Sequence, residues 1–258
     1  MTQTNLLEII AHEGAIHELH LNCPPVNALD PRLIRRLRTE VESAQGNGAR
    51  ALVLSGRTGL FSAGLDVPTL LTLDRATLAE VWRDFFGLCG ALACSPIPVV
   101  AALTGHSPAG GAVLAIFCDY RIMARGPYRI GLNEVQVGLS VPECIQAGLR
   151  RLVGAFRAER LMVSGTMLDA EQALAIGMVD ELTDVEHVVT RAAVWAGDLL
   201  KLPPLAMSTT RKLARADLAA VFADPARFDI DGFVEGWFSP ESQAVLTALV
   251  AKLKSRAA

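Results

Sequence analysis

Apolar and polar residues alternate on either side of Glu13-Gly14, over residues 5–21 (LLEIIAHEGAIHELHLN). A period of two about a Glu-Gly pair predicts a β-hairpin, with His12, His17 and His20 on the strand surface. Pro24-Pro25 breaks the pattern. Asp30 followed by Pro31 has the form of an N-cap and first helical residue, opening a helix to about Gln45 that Gly46 and Gly48 end. Ala51-Leu52-Val53-Leu54-Ser55-Gly56 is a continuous apolar run with the length of a buried strand. Residues 76–94 carry helical spacing, and Pro98–Leu103 (PVVAAL) predicts a second buried strand. The chain then turns through Thr104–Ala109 into a helix starting near Gly110. Residues 119–130 (DYRIMARGPYRI) predict two short strands about Gly126-Pro127.

From Pro142 the pattern is almost wholly helical, over roughly 142–153, 156–163, 169–176, 185–200, 204–220 and 240–255. Met178–Leu182 is the single strand candidate there. Strands alternating with helices, then helices alone, predict an α/β core followed by a C-terminal helical region. There is no internal sequence repeat, low-complexity tract or long linker.

Composition narrows the classes of partner. Of 258 residues, 51% are hydrophobic and 20% charged, enough to bury a large core without staples. The net charge of -3 points to neither nucleic acid nor a membrane surface as partner. The longest apolar run, Leu88–Cys118, is cut by Pro96, Pro98, Gly105, Pro108, Gly110 and Gly111, and is expected to be core rather than a membrane span. The N-terminus has no basic n-region and Glu8 interrupts its apolar stretch, so no signal peptide is expected. The five cysteines, Cys23, Cys89, Cys94, Cys118 and Cys144, show no metal spacing. They are expected to be inert core thiols in a reducing compartment, the cytoplasm.

Three segments offer chemistry. Phe61-Ser62-Ala63-Gly64-Leu65-Asp66 follows a strand, and its small residues leave amide N–H groups open to a ligand oxygen; the same residues also make an ordinary turn. Ser107-Pro108-Ala109-Gly110-Gly111-Ala112 opens an apolar helix. Its free N–H donors and positive dipole end suit a phosphate or a developing oxyanion, while glycine there also permits close helix–strand packing. In Gly131-Leu132-Asn133-Glu134, the carboxylate sits among Ile130, Leu132, Val135 and Val137. Desolvation there raises its pKa toward the range useful for proton transfer; the alternative is an exposed helix-cap glutamate. His106 precedes the Gly-Gly turn as a site-lining or plain loop histidine. No Ser–His–Asp order or nucleophile elbow is visible.

Read together and in order, NCPPVNALD, FSAGLD, PAGGAVLAIFCDYRI, GLNEVQVGL and EQALAIGMVDEL resemble the crotonase superfamily, also called the enoyl-CoA hydratase/isomerase family, over nearly the whole chain. The resemblance implies a crotonase-like core of repeated ββα units over residues 1–195, holding the acyl-CoA site. It implies a C-terminal helical trimerisation region over 196–258, and a homotrimer or dimer of trimers. It makes the backbone N–H groups of Leu65 and Gly110 an oxyanion hole for the thioester oxygen. Ser62, Ala63, Gly64 and Asp66 would border coenzyme A, Asn133 would lie in the binding wall and Glu134 would be catalytic. Coenzyme A is then part of the substrate, with no separate cofactor and no metal. Arg57, Arg211 and Lys212 are candidate cations for its phosphates, without a choice among them.

One departure from the family pattern is informative. Hydratases of the family carry a first glutamate three residues after the oxyanion glycine; here that position is Val113, and the second glutamate maps onto Glu134. One carboxylate serves a 1,3 proton shift, and the local text looks most like the Δ3,Δ2-enoyl-CoA isomerases. Enoyl-CoA hydratase, dienoyl-CoA isomerase, thioester hydrolase and a non-catalytic CoA-binding paralogue stay open as alternatives. Glu143, in the first turn of its helix, is the residue that would restore a second acid if it faced the substrate.

Overall fold

The computed structural model describes residues 6–224 and 228–257. The hairpin forms as expected from β1 (Leu7–His12) and β2 (Ile16–Leu21), and α1 (Pro31–Ser43) begins where Asp30 accepts the Leu33 amide at 2.7 Å. Three strand pairs follow. They are β3 (Ala51–Ser55) with β4 (Gly59–Leu60), β5 (Val99–Leu103) with β6 (Gly105–Pro108), and β7 (Tyr120–Ala124) with β8 (Arg129–Gly131). Helices α2 (Val67–Leu70) and α3 (Arg75–Ala93) follow the first pair, α4 (Gly110–Ile116) the second, and a 3-10 turn, Glu134–Val137, the third. The remainder comprises α5 (Glu143–Val153), α6 (Ala155–Ser164), β9 (Leu168–Asp169), α7 (Ala170–Ala175), β10 (Glu181–Thr183), α8 (Val188–Leu200), α9 (Pro204–Ala214), α10 (Ala216–Phe222), α11 (Ile230–Trp237) and α12 (Pro240–Ala257).

The first strand of each pair enters one sheet and the second enters another. The large sheet has the order β1-β2-β3-β5-β7-β10, the small one β4-β6-β8-β9. Beyond the hairpin the large sheet is parallel, and β4, β6 and β8 are parallel to one another. A parallel sheet needs cover on both faces, which explains unbroken apolar strands. Alternate residues of β3 serve the two faces. Leu52 and Leu54 join the main core, whereas Ala51 and Val53 join Val100, Ala102, Ile122 and Ala124 under Val188, Ala192 and Ala196 of α8. Helix α8 therefore crosses residue 195 as a single element lying on the sheet.

Aspartate caps set many of the boundaries. Asp30, Asp66, Asp74, Asp169 and Asp229 each accept an amide in the first turn that follows, worth about 1 kcal/mol apiece. The expected helix over 204–220 is instead two, α9 and α10, meeting at Arg215. The break follows from where that residue and Arg211 are held. Arg211 grips both oxygens of Asp119 at 2.8 Å and the Ser95 carbonyl at 2.5 Å. Arg215 reaches Asp119 at 3.1 Å, the Ala93 carbonyl ending α3 at 3.2 Å and the Phe117 carbonyl ending α4 at 2.7 Å. Arg211 is thus engaged in the fold and is not an open phosphate ligand.

The histidine expectation also changes. His12 and His20 converge on Glu18, which is 4% exposed. His12 Nε2 lies 2.8 Å from Glu18 Oε2, and His20 Nδ1 lies 2.8 Å from the Ser55 hydroxyl, which itself donates to Glu18 Oε1 at 2.5 Å. Cys94 is exposed at the end of α3, while the other four free cysteines are buried. Among the described residues no helix is long and apolar enough to cross a membrane.

Candidate active site

The small sheet places all three candidate segments at one end. Residues 61–66 leave the C-terminal end of β4, Ala109-Gly110 that of β6 and Asn133-Glu134 that of β8. Ligands in parallel α/β sheets sit beyond the carboxyl ends of the strands. The segments are laced together. The Phe61 and Ser62 amides donate to the His106 carbonyl at 3.1 and 3.4 Å, and the Ala109 amide to the Gly131 carbonyl at 2.8 Å. His106 itself is exposed, and its Nδ1 accepts the Arg129 amide at 3.2 Å.

Two backbone amides come side by side. A methyl group on Gly64, at φ +86°, would lie 3.1 Å from the Gly110 nitrogen, and one on Gly110 would lie 3.3 Å from the Leu65 nitrogen. Only glycine permits that approach, and at Gly64 only glycine adopts the backbone cheaply. The Leu29 amide donates to Gly64 O at 2.8 Å and the Asp66 amide to Leu29 O at 3.2 Å, a bridge that leaves the Leu65 N–H out of the ladder. Gly110 is the first residue of α4, where a helix has no internal acceptor for the amide. The preceding Ala109 sits at φ 45°, ψ -117°, a backbone strained for a residue with a side chain.

The remaining residues of the first loop shape it. The Ser62 hydroxyl, wholly buried, donates to Asn27 O at 2.7 Å and accepts the Gly64 amide at 3.1 Å. The Ala63 amide donates to Val26 O at 3.1 Å. Asp66 caps α2, accepting the Thr69 amide at 3.1 Å and its hydroxyl at 2.7 Å. Asn27 was not among the residues singled out from sequence, yet it is fully buried at φ 49° and bridges Cys23 N to Phe61 O. An asparagine between two apolar residues, a type that tolerates left-handed backbone, was the available signal.

Glu134 begins the 3-10 turn. Its side chain is half-buried, but Oε2 is withdrawn from solvent and meets no donor among the described residues; neither does the neighbouring Asn133 Oδ1. Burial pushes its carboxyl up to about 7, partly offset by its own backbone amide. The site therefore pairs two backbone donors, unsatisfied among the described residues, with a carboxyl group whose pKa lies near neutrality. Val113, one turn into α4, is 1% exposed and aliphatic. Glu143 is the first residue of α5 and is exposed. Arg57 donates to the Pro25 carbonyl, and Lys212 is exposed on α9. Among the described residues no group of His, Cys, Asp or Glu could hold a metal.

Known proteins are similar to this chain in sequence and fold. The enoyl-CoA hydratase/isomerase family profile matches residues 11–256. The mitochondrial enoyl-CoA delta isomerase 1 of Rattus norvegicus is 30% identical over 247 residues, covering 95% of this chain and 86% of that protein. A probable enoyl-CoA hydratase of Mycobacterium avium is 35% identical over 219 residues, covering 83% and 82%. The crystal structure of human mitochondrial delta3-delta2-enoyl-CoA isomerase superposes with a TM-score of 0.92 at 29% identity, covering 97% of this chain and 99% of that one.

Proposed function

This chain belongs to the enoyl-CoA hydratase/isomerase family, and from that premise we propose that it is a Δ3,Δ2-enoyl-CoA isomerase in which Glu134 moves the proton. The observation that carries the reading is the pairing of Glu134, whose Oε2 is withdrawn from solvent and meets no donor among the described residues, with a buried valine at position 113. Valine neither activates water nor holds a proton, so adding water across a double bond lacks its second carboxylate.

The proposed cycle needs one. Ionised Glu134 takes a proton from C2 of a 3-enoyl-CoA. The electron pair delocalises onto the thioester oxygen, forming a dienolate. The Leu65 and Gly110 amides donate to that oxygen as charge develops, each worth about 3 kcal/mol in the transition state. Protonated Glu134 then returns the proton at C4, and the double bond moves from C3=C4 to C2=C3. No water or co-reactant enters. A carboxyl group titrating at about 7 is matched to both taking and giving the proton. The similarity to two delta isomerases supports the same reading.

The similarity to a probable hydratase favours hydration as the second reading. It needs another acid, for which Glu143 is the first suspect. Purified protein should convert a 3-enoyl-CoA to the conjugated 2-enoyl product, followed by absorbance, and Glu134→Gln should abolish this. Undiminished turnover in Glu134→Gln, or hydration of crotonyl-CoA outrunning isomerisation and lost in Glu143→Gln, overturns the isomerase reading.

The trimer expectation belongs to the same proposal. Phe156, Val163 and Leu205 are exposed by 75–80%, the kind of apolar surface that a second copy of the chain would cover. Light scattering on the purified protein reads the assembly directly.

A further inference from the structure

Among the described residues, Glu134 Oε2 has no hydrogen-bond donor and no charged neighbour contributes to its raised pKa. The position of the carboxylate therefore follows from the 3-10 turn that begins at this residue. That turn closes on its own backbone: the Gln136 amide donates to Asn133 O at 3.0 Å, the Gly138 amide to Glu134 O and Val135 O, and the Leu139 amide to Glu134 O at 3.0 Å. Such turns have poor hydrogen-bond geometry, so outside ties matter.

There are two side-chain ties. Gln136 Nε2 donates to Gly165 O at 2.9 Å, on the exposed side. The other comes from a buried side chain. Gly138, left-handed at φ 76°, offers its carbonyl to the Ser242 hydroxyl at 2.6 Å. Ser242 is 5% exposed and lies in the first turn of α12. The Ser239 hydroxyl donates to the Ser242 oxygen at 3.0 Å, which directs the Ser242 proton onward to Gly138. A methyl on Gly138 would lie 3.2 Å from Ser242 Cα, so the backbones meet directly. Helix α12 also touches α2, the helix that leaves the Leu65 loop. One C-terminal helix thus spans from the loop carrying one oxyanion donor to the turn carrying the acid–base group.

We infer that Ser242 is a positioning residue for Glu134, fixing from the C-terminal helix the turn that aims the carboxylate at the substrate. The inference rests on Glu134 being the acid–base group of the proposed isomerase. Breaking the tie should loosen the turn, misplace the carboxylate and admit water to it. Misplacement by about 1 Å costs up to roughly 100-fold in rate.

The test compares wild type, Ser242→Ala and Ser242→Thr on a 3-enoyl-CoA across pH 5.5–9. Ser242→Ala should lower kcat about 10-fold with KM within about two-fold. The acid limb of the rate profile should move down by about one pH unit as water reaches the carboxyl. Ser242→Thr, which keeps the hydroxyl, should restore both. An unchanged kcat and acid limb in Ser242→Ala, or loss of rate with an unmoved limb, overturns the inference. If Ser242→Ala does not fold, Ser242→Cys takes its place with the same expected direction and the same overturning result. Carbon-13 NMR of labelled glutamate, with the Glu134 signal identified by its loss in Glu134→Gln, titrates the same group without substrate. If Glu134→Gln keeps full turnover, the isomerase reading fails. The NMR midpoint still decides Ser242: a downward shift in Ser242→Ala supports the tie and an unmoved one overturns it.

Discussion

Glu18 and Glu134 are two carboxylates withdrawn from water in one domain, and they titrate at opposite ends of the acid range. Burial pushes both upward. At Glu18 that push is outweighed by the favourable partners His20, Ser55 and His12, which pull the group down to about 2. At Glu134 nothing opposes burial except the residue's own amide, and the group rests at about 7. Burial is shared, so partners decide the outcome. The partnered carboxylate is charged at neutral pH and ties β1, β2 and β3 together. The unpartnered one is available to carry a proton.

The comparison can be broken at either end. The largest effect is expected from Glu134→Gln, which should lower kcat about 1,000-fold, in line with loss of a general acid–base group. Glu18→Gln should leave steady-state turnover of folded protein unchanged. Next is Gly64→Ala. A Cβ at φ +86°, 3.1 Å from the Gly110 nitrogen, wedges the two amides apart, and kcat/KM should fall about 100-fold with the Glu134 acid limb in place.

Stability sharpens the contrast. Glu18 has its folded pKa below the ordinary value of 4.5, so its contribution is present above pH 4.5 and is lost as pH falls toward 2. Removing it in Glu18→Gln should cost about 3 kcal/mol at pH 7, read by urea denaturation. Glu134 runs the other way. Its folded pKa lies above 4.5, so the wild type loses stability as pH rises from 4.5 to 7. Glu134→Gln should therefore be more stable than wild type by about 3 kcal/mol at pH 8.5, with little difference at pH 4.5. An inactive variant more stable than its parent is the signature of a carboxylate kept for chemistry.

Much of this was legible in the chain. Asp30-Pro31 announced α1, the unbroken apolar runs announced β3 and β5, and the three loop segments singled out for chemistry meet at one end of the small sheet. What escaped was fixed by distant partners. Gly105-His106-Ser107-Pro108 has no apolar alternation, yet it is strand β6, because Gly59-Leu60 on one side and Ile130-Gly131 on the other pair with it. Glu18 carries no mark in the sequence, because Ser55, its closest partner, is 37 positions away. Ser242 lies 104 positions from Gly138, and no local pattern marks the bond. Local periodicity reports which face a residue takes; it does not report what waits there.

The grip of Arg211 and Arg215 has a consequence for how the molecule comes apart. Asp119 is 10% exposed in its side chain, and the two guanidinium groups are its cationic partners. The carbonyls ending α3 and α4 also depend on them. Peeling α9 from the core would strand a buried charge and open helix ends, at several kcal/mol. The C-terminal helices should therefore exchange their amide hydrogens with the core, as one opening unit, and a chain cut before α9 should not keep a folded sheet.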